Sequence, residues 1–157
     1  MSMSTGIVYG YGVIVDEILD QKVIDFIKNH KDTFCNSATE KKMYEEISKF
    51  TEYDIDMYGL DDYFESYQCD YSGMEGRGAA ISNIIMRETG IRVEYQMGQS
   101  DCDSYPSVLF AEKMPWHLNE KEKNITLESL TNILLPYVEE LGLSRKDIDS
   151  LKIEYYG

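Results

Sequence analysis

The sequence predicts one α+β domain spanning residues 1–157, with three to four mostly antiparallel strands and four to five helices packed mainly on one face. Two features of its pattern lead there. Period-two hydrophobicity stands at the start of the chain, past its middle and at its end, while helical stripes lie in blocks between. The resulting order, one strand, several helices, two strands, a helix and a strand, lacks the regular alternation that builds a parallel doubly wound sheet. A third observation is size: 157 residues with 43% hydrophobic content, thirteen Tyr and five Phe suffice for a single core.

The first segment, TGIVYGYGVIV, sets Ile7, Tyr9, Tyr11, Val13 and Val15 on one face and Gly10 and Gly12 on the other, a strand with one side tightly covered. Asp16 is placed to cap a helix in which Ile18, Leu19, Val23, Phe26 and Ile27 form an apolar stripe ending near Asn29. SATE, from Ser37 to Glu40, is a capping-box pattern that opens a second helix with Met43, Ile47 and Phe50 on its buried side. A short helix is expected between Asp61 and Gln68, then a loop through Gly73, Gly76 and Gly78. AAISNIIMRETG reads as a helix closed by Gly90. IRVEYQ alternates Ile91, Val93 and Tyr95 against polar partners and pairs with PSVLF as a hairpin. After a polar linker, Thr126 caps a helix with Ile125 and Leu130 as its hydrophobic staple, and Pro136 is expected to kink or divide it before Gly142. LKIEYY closes the chain as an edge or pairing strand.

Charge is the unusual property. The 29 acidic and 15 basic residues give a net charge of −14, and the excess is concentrated. Phe50 to Gly76 holds eight acidic residues and no Lys or Arg; Val93 to Glu112 holds four, again without a base. Twelve of the fourteen excess charges sit in these two segments. An acidic surface repels nucleic acid and lipid headgroups and attracts basic proteins, so direct nucleic-acid binding and membrane binding are the classes it argues against. The opening MSMSTGIVYG lacks a basic region and an apolar core of signal-peptide type, and no apolar run reaches bilayer length, so a cytoplasmic location is expected. Cys35, Cys69 and Cys102 are odd in number and widely spaced, which points to free thiols.

Several motifs bear on chemistry. DIDMYGLDDYFE, Asp54 to Glu65, partly matches a calcium loop, with Asp54, Asp56, Gly59 and Glu65 at the right offsets. Tyr58 and Asp61 stand where an oxygen ligand and an aliphatic residue are required, and no second loop is present to pair with it. The loop Gly73 to Gly78 with Arg77 precedes a helix start, where backbone amides can hold an anion, and supports an alternative reading as a small-molecule or nucleotide site or an enzyme. Cys102, His117 and neighbouring carboxylates lack the spacing of a zinc site. Trp116, the only tryptophan, is read as pinning a loop. No catalytic residue, cofactor or metal is implied.

Tyr53, Tyr58, Tyr63, Tyr67 and Tyr71 recur every four or five residues among the carboxylates of the acidic segment. Tyr63 and Tyr67 suit a helix face with Phe64; the others are expected to be exposed beside acids. Tyrosine offers large contact area with little side-chain entropy to lose and stacks on arginine, which suits a binding surface. In general character, small, single-domain, acidic and Tyr-rich, the chain resembles phage-borne inhibitors of bacterial defence nucleases, some of which imitate nucleic acid. That resemblance is one of composition and assigns no role to any position; the charge and tyrosine layout itself implies a non-enzymatic protein that presents Asp54, Asp56, Tyr58, Asp61, Asp62, Tyr63 and Glu65 to a basic protein surface. A third reading is an interaction module without a ligand.

Overall fold

The structure, a computed structural model, describes residues 5–16, 18–96, 107–114 and 118–156; the side chains of residues 5–7, 56, 58 and 153–156 lie outside the description. One four-stranded antiparallel sheet forms in the order β2-β3-β1-β4, from β1 (Thr5–Val15), β2 (Val93–Gln96), β3 (Ser107–Glu112) and β4 (Asp149–Tyr156). β1 is central, pairing Val13 with Leu109 on one side and Gly10 with Leu151 on the other, while β4 is an edge strand as its alternating pattern implies.

Eight helices are present among the described residues: α1 (Asp20–Asn29), α2 (Lys31–Phe34), α3 (Ala38–Ser48), α4 (Glu52–Tyr58), α5 (Leu60–Tyr63), α6 (Arg77–Thr89), α7 (Glu120–Lys123) and α8 (Leu127–Glu140). Three of them, α2, α5 and α7, are single turns of four residues, too short to leave an amphipathic stripe in the sequence. None is long and apolar enough to cross a membrane, among the described residues.

The core lies between the helices and one face of the sheet. Val13, Val15, Val93, Tyr95, Leu109 and Ala111 supply the sheet's side. Val23, Ile24, Phe26 and Ile27 of α1, Ile47 of α3, Ile81, Ile84 and Ile85 of α6, and Leu134 and Val138 of α8 supply the helical side. On the opposite face Val108 and Phe110 are buried in a small separate cluster with Val8 and Leu151, and Gly12 lies beside Phe110 in register. α6 is the central helix: every residue from Arg77 to Ile85 is buried, and it packs on β2, α1 and α2.

Local signals explain most boundaries. Ser37 accepts a hydrogen bond from the Glu40 amide at 3.1 Å, and Thr126 accepts one from Ser129, so both expected caps form. Gly90, at φ 74°, closes α6 as expected. Asp16 does not cap α1. The helix begins after Leu19, whose side chain makes no cap bond, and the acidic residue of its first turn is Asp20. Pro136 does not divide α8, which runs from Leu127 to Glu140. Proline removes one backbone bond, and the buried Leu134, Tyr137 and Val138 on either side hold the helix together through packing. Cys102, Trp116 and His117 lie outside the described residues.

Candidate functional site

The acidic segment is built in two parts joined at Gly59. The first part is α4, which the sequence reading left without secondary structure. Thr51 and Asp54 form a reciprocal capping box: the Asp54 carboxylate accepts from the Thr51 amide at 2.8 Å, and the Thr51 hydroxyl oxygen accepts from the Asp54 amide at 3.2 Å. Ile55 turns toward the core, whereas Tyr53 and Met57, one turn apart, are exposed at 66% and 59%. Helical backbone on both sides of Gly59, whose φ is 66°, replaces the loop a calcium motif requires, and Asp54 is used as a cap. Among the described residues no group of three or more His, Cys, Asp or Glu converges as a metal site.

The second part turns inward. Leu60 and Phe64 are fully buried, and Phe50, Tyr63, Phe64 and Tyr67 form a chain in which each ring meets the next edge to face. Each half-buried tyrosine ends on a carboxylate. Tyr63 donates to Glu46, Tyr67 donates to Glu40 at 2.7 Å, and Tyr71 donates to Glu112 at 3.0 Å. Burial, reinforced by Glu46 and Glu40, pushes the phenols of Tyr63 and Tyr67 well above their ordinary range, so both stay protonated donors. Tyr71, expected to be exposed, is instead half-buried under the Arg92 guanidinium, 4.6 Å from its ring centroid.

Bases from outside the segment meet some of its acids. Arg77, first residue of α6 and only 6% exposed, pairs with Asp20 of α1 and lies 3.5 Å from Asp61 of α5. Asp20 also accepts the Leu60 amide at 3.4 Å, so three elements, α1, α5 and α6, are joined at one point. Arg87 bridges Glu40 at 2.8 Å and Asp70 at 3.0 Å. Burial alone would lower the Arg87 pKa, but Asp70 and Glu40 hold it above its ordinary value. Asn83, fully buried, donates to Tyr67 and to the Gln68 carbonyl while accepting the Asp70 amide. This network floors an open cleft of about 720 Å³ between α3 and the turn after α5, rimmed by Glu46, Asp62, Glu65 and Lys42.

The seven residues expected to meet a partner therefore divide. Asp62 and Glu65 are exposed on the cleft rim, and Asp61, 65% exposed, leans on Arg77. Asp54 is a helix cap, and Tyr63 is half-buried against Glu46. The side chains of Asp56 and Tyr58 lie outside the description. In the loop of the alternative reading Gly73 and Gly76 take positive φ, 73° and 116°, while Gly78 lies within α6. Gly78 is glycine because a Cβ there would stand 2.3 Å from the Tyr95 ring, so α6 sits directly on β2.

Tyr53 is exposed as expected; sequence reasoning missed Met57 and the helix that sets it one turn from Tyr53, for which a Thr-x-x-Asp capping pattern at Thr51 was the available signal. It also missed Glu40 and Asn83, whose roles depend on residues far away in the chain, and a clamp at His30. The His30 ring accepts or donates at both nitrogens, 2.9 Å from Glu88 and 2.7 Å from Glu140, between Phe26 and Tyr137. Comparison with protein-family models, curated proteins and solved structures finds no significant match for this chain.

Proposed function

We propose that this chain is a non-enzymatic binding protein that offers the acidic face of α4, α5 and the following turn to a basic protein surface. One observation carries the reading: eight carboxylates and no base fall between residues 50 and 76, and Glu52, Asp62 and Glu65 among them are exposed without a hydrogen-bond or ion-pair partner among the described residues. Like charges held together on one face repel each other in the free protein, whereas a basic partner neutralises them. Its finer form is imitation of a nucleic-acid phosphate track, the partner being a protein that binds nucleic acid.

The test compares two variants of equal charge. One carries Glu52→Gln, Asp62→Asn, Glu65→Gln and Glu75→Gln; the other carries Glu120→Gln, Glu128→Gln, Glu139→Gln and Asp149→Asn, all exposed positions outside the segment. Poly-lysine and a basic nucleic-acid-binding protein are titrated across a salt series. The first variant is expected to lose affinity for both by about tenfold or more and to flatten the salt dependence, while the second changes little. Double-stranded DNA is expected to compete for the basic protein. Equal behaviour of the two variants overturns the reading, and absence of DNA competition overturns its finer form.

A further inference from the structure

We infer that α4 is a docking ridge for a basic amphipathic segment of another protein, with Tyr53 and Met57 as apolar anchors. The inference rests on the proposed acidic face and names what that face receives. α4 has one substantial neighbour, α5, and among its described apolar side chains Ile55 alone packs against the core. Tyr53 and Met57 are among the seven large apolar side chains left exposed in the described residues, and they stand at i and i+4 on one helical face. The bond from the Leu60 amide to Asp20 ties the start of α5, which follows α4 directly, to the start of α1.

A helix this exposed gains little from the fold, so an apolar pair kept on its outer side points outward to a partner. Charge selects which partner. In sequence Glu52 directly precedes Tyr53, Asp61 and Asp62 follow Met57 within one turn and a half, and no Lys or Arg lies between residues 50 and 76, the nearest base, Arg77, being engaged with Asp20 and Asp61. An acidic partner or an anionic lipid surface would be repelled, while a segment with Lys and Arg flanking its apolar residues satisfies both features at once. Methionine suits this, because its flexible thioether adapts to different apolar partners, and tyrosine adds a rigid amphipathic anchor.

The probe is a labelled peptide of about 18 residues in which Leu recurs at helical spacing among Lys, against the same residues scrambled so that no apolar face forms. The amphipathic peptide is expected to bind about tenfold tighter than the scrambled one. Tyr53→Ser with Met57→Ser should remove that advantage, whereas Tyr9→Ser with Leu127→Ser, exposed on other elements, should leave it. Thermal melting of each variant verifies the fold. An advantage that survives the Tyr53 and Met57 changes overturns the inference, as does concentration-dependent self-association that those changes abolish, which would make the occupant a second copy. If both peptides bind alike and weaken with the variant at Glu52, Asp62, Glu65 and Glu75, the acidic face stands and the ridge falls. If neither binds, both fall.

Discussion

The two halves of the acidic segment have nearly the same composition and opposite fates. Before Gly59, α4 turns Tyr53 and Met57 to solvent and uses Asp54 to cap its own backbone. After it, Leu60 and Phe64 enter the core, and Tyr63 and Tyr67 are held by carboxylates of α3. The difference lies in where neighbours supply a surface. α3 and α6 present Glu40, Glu46, Asn83 and Arg87 to the second half, which gives the phenols of Tyr63 and Tyr67, the Asp70 amide and the Asp70 carboxylate their bonding partners. In α4, Ile55 is the one described side chain that packs against the core. Tyrosine among acids is thus not one signal: its meaning is fixed by whether a polar floor lies beneath it.

The largest effect expected from breaking this contrast is at Phe64. Phe64→Ala leaves a cavity in the core and should destabilise the protein by about 3–5 kcal/mol in urea unfolding, whereas Tyr53→Ala and Met57→Ala should each stay within about 0.5 kcal/mol. A similar cost at Tyr53 would show that α4 is packed after all.

Next comes Glu40. Glu40→Ala removes the carboxylate that Arg87 and Tyr67 share, leaving the partly buried guanidinium with Asp70 as its remaining acid and the Tyr67 hydroxyl without its acceptor, and should destabilise by about 2 kcal/mol. Glu52→Ala, an exposed acid of the first half, is the matched control and should be close to neutral.

A smaller effect is expected from the cap of α4. Thr51→Ala should cost about 1 kcal/mol if α4 unfolds together with the domain. If α4 opens on its own, global stability should stay unchanged while its amides exchange faster with solvent. Hydrogen exchange separates the two outcomes and sharpens how independent the outward half is.

The smallest effect concerns pH, at a polar clamp outside the segment. Burial alone would lower the His30 pKa, but hydrogen bonds to Glu140 and Glu88 outweigh it and hold it above the ordinary 6.5. A raised folded value means that the stabilisation is complete below pH 6.5 and is lost as pH rises through the folded value. Glu88 has the opposite sign. Burial would raise its pKa, yet bonds from Thr33, Tyr137 and His30 bring it below 4.5, so its contribution holds above that pH and fades in acid. The urea midpoint of wild type should therefore fall relative to His30→Gln on going from pH 6 to pH 8. A constant difference across that range would remove the clamp's electrostatic role.

The fold was legible where a pattern is local. Ser37, Thr126 and Gly90 act at their own helix ends, and Val93 and Tyr95 alternate into the core as their spacing requires. The site was legible only in part, because the sequence shows an excess of acids but not which bases come back to meet them. Arg77, Arg87 and Arg92 all lie beyond residue 76 and reach the segment through the packing of α6 and β2. Tyr71 was misjudged for that reason. α4 was overlooked because it is seven residues long and, among its described side chains, carries one core contact, too little for a stripe.

The position of β1 at the middle of the sheet bears on how the protein is made. Its partners are residues 107–112 and 149–156, so a strand synthesised first waits until the last of these has left the ribosome. Closing such distant pairs is entropically expensive and slow compared with docking α1, α2, α3 and α6, whose contacts are nearer in sequence. During the wait β1 has two open edges carrying Tyr11, Val13 and Val15, a template for the same strand of a neighbouring chain. Rapid production should therefore lose material to aggregates that slower synthesis at lower temperature recovers, and refolding from urea should lose yield as protein concentration rises.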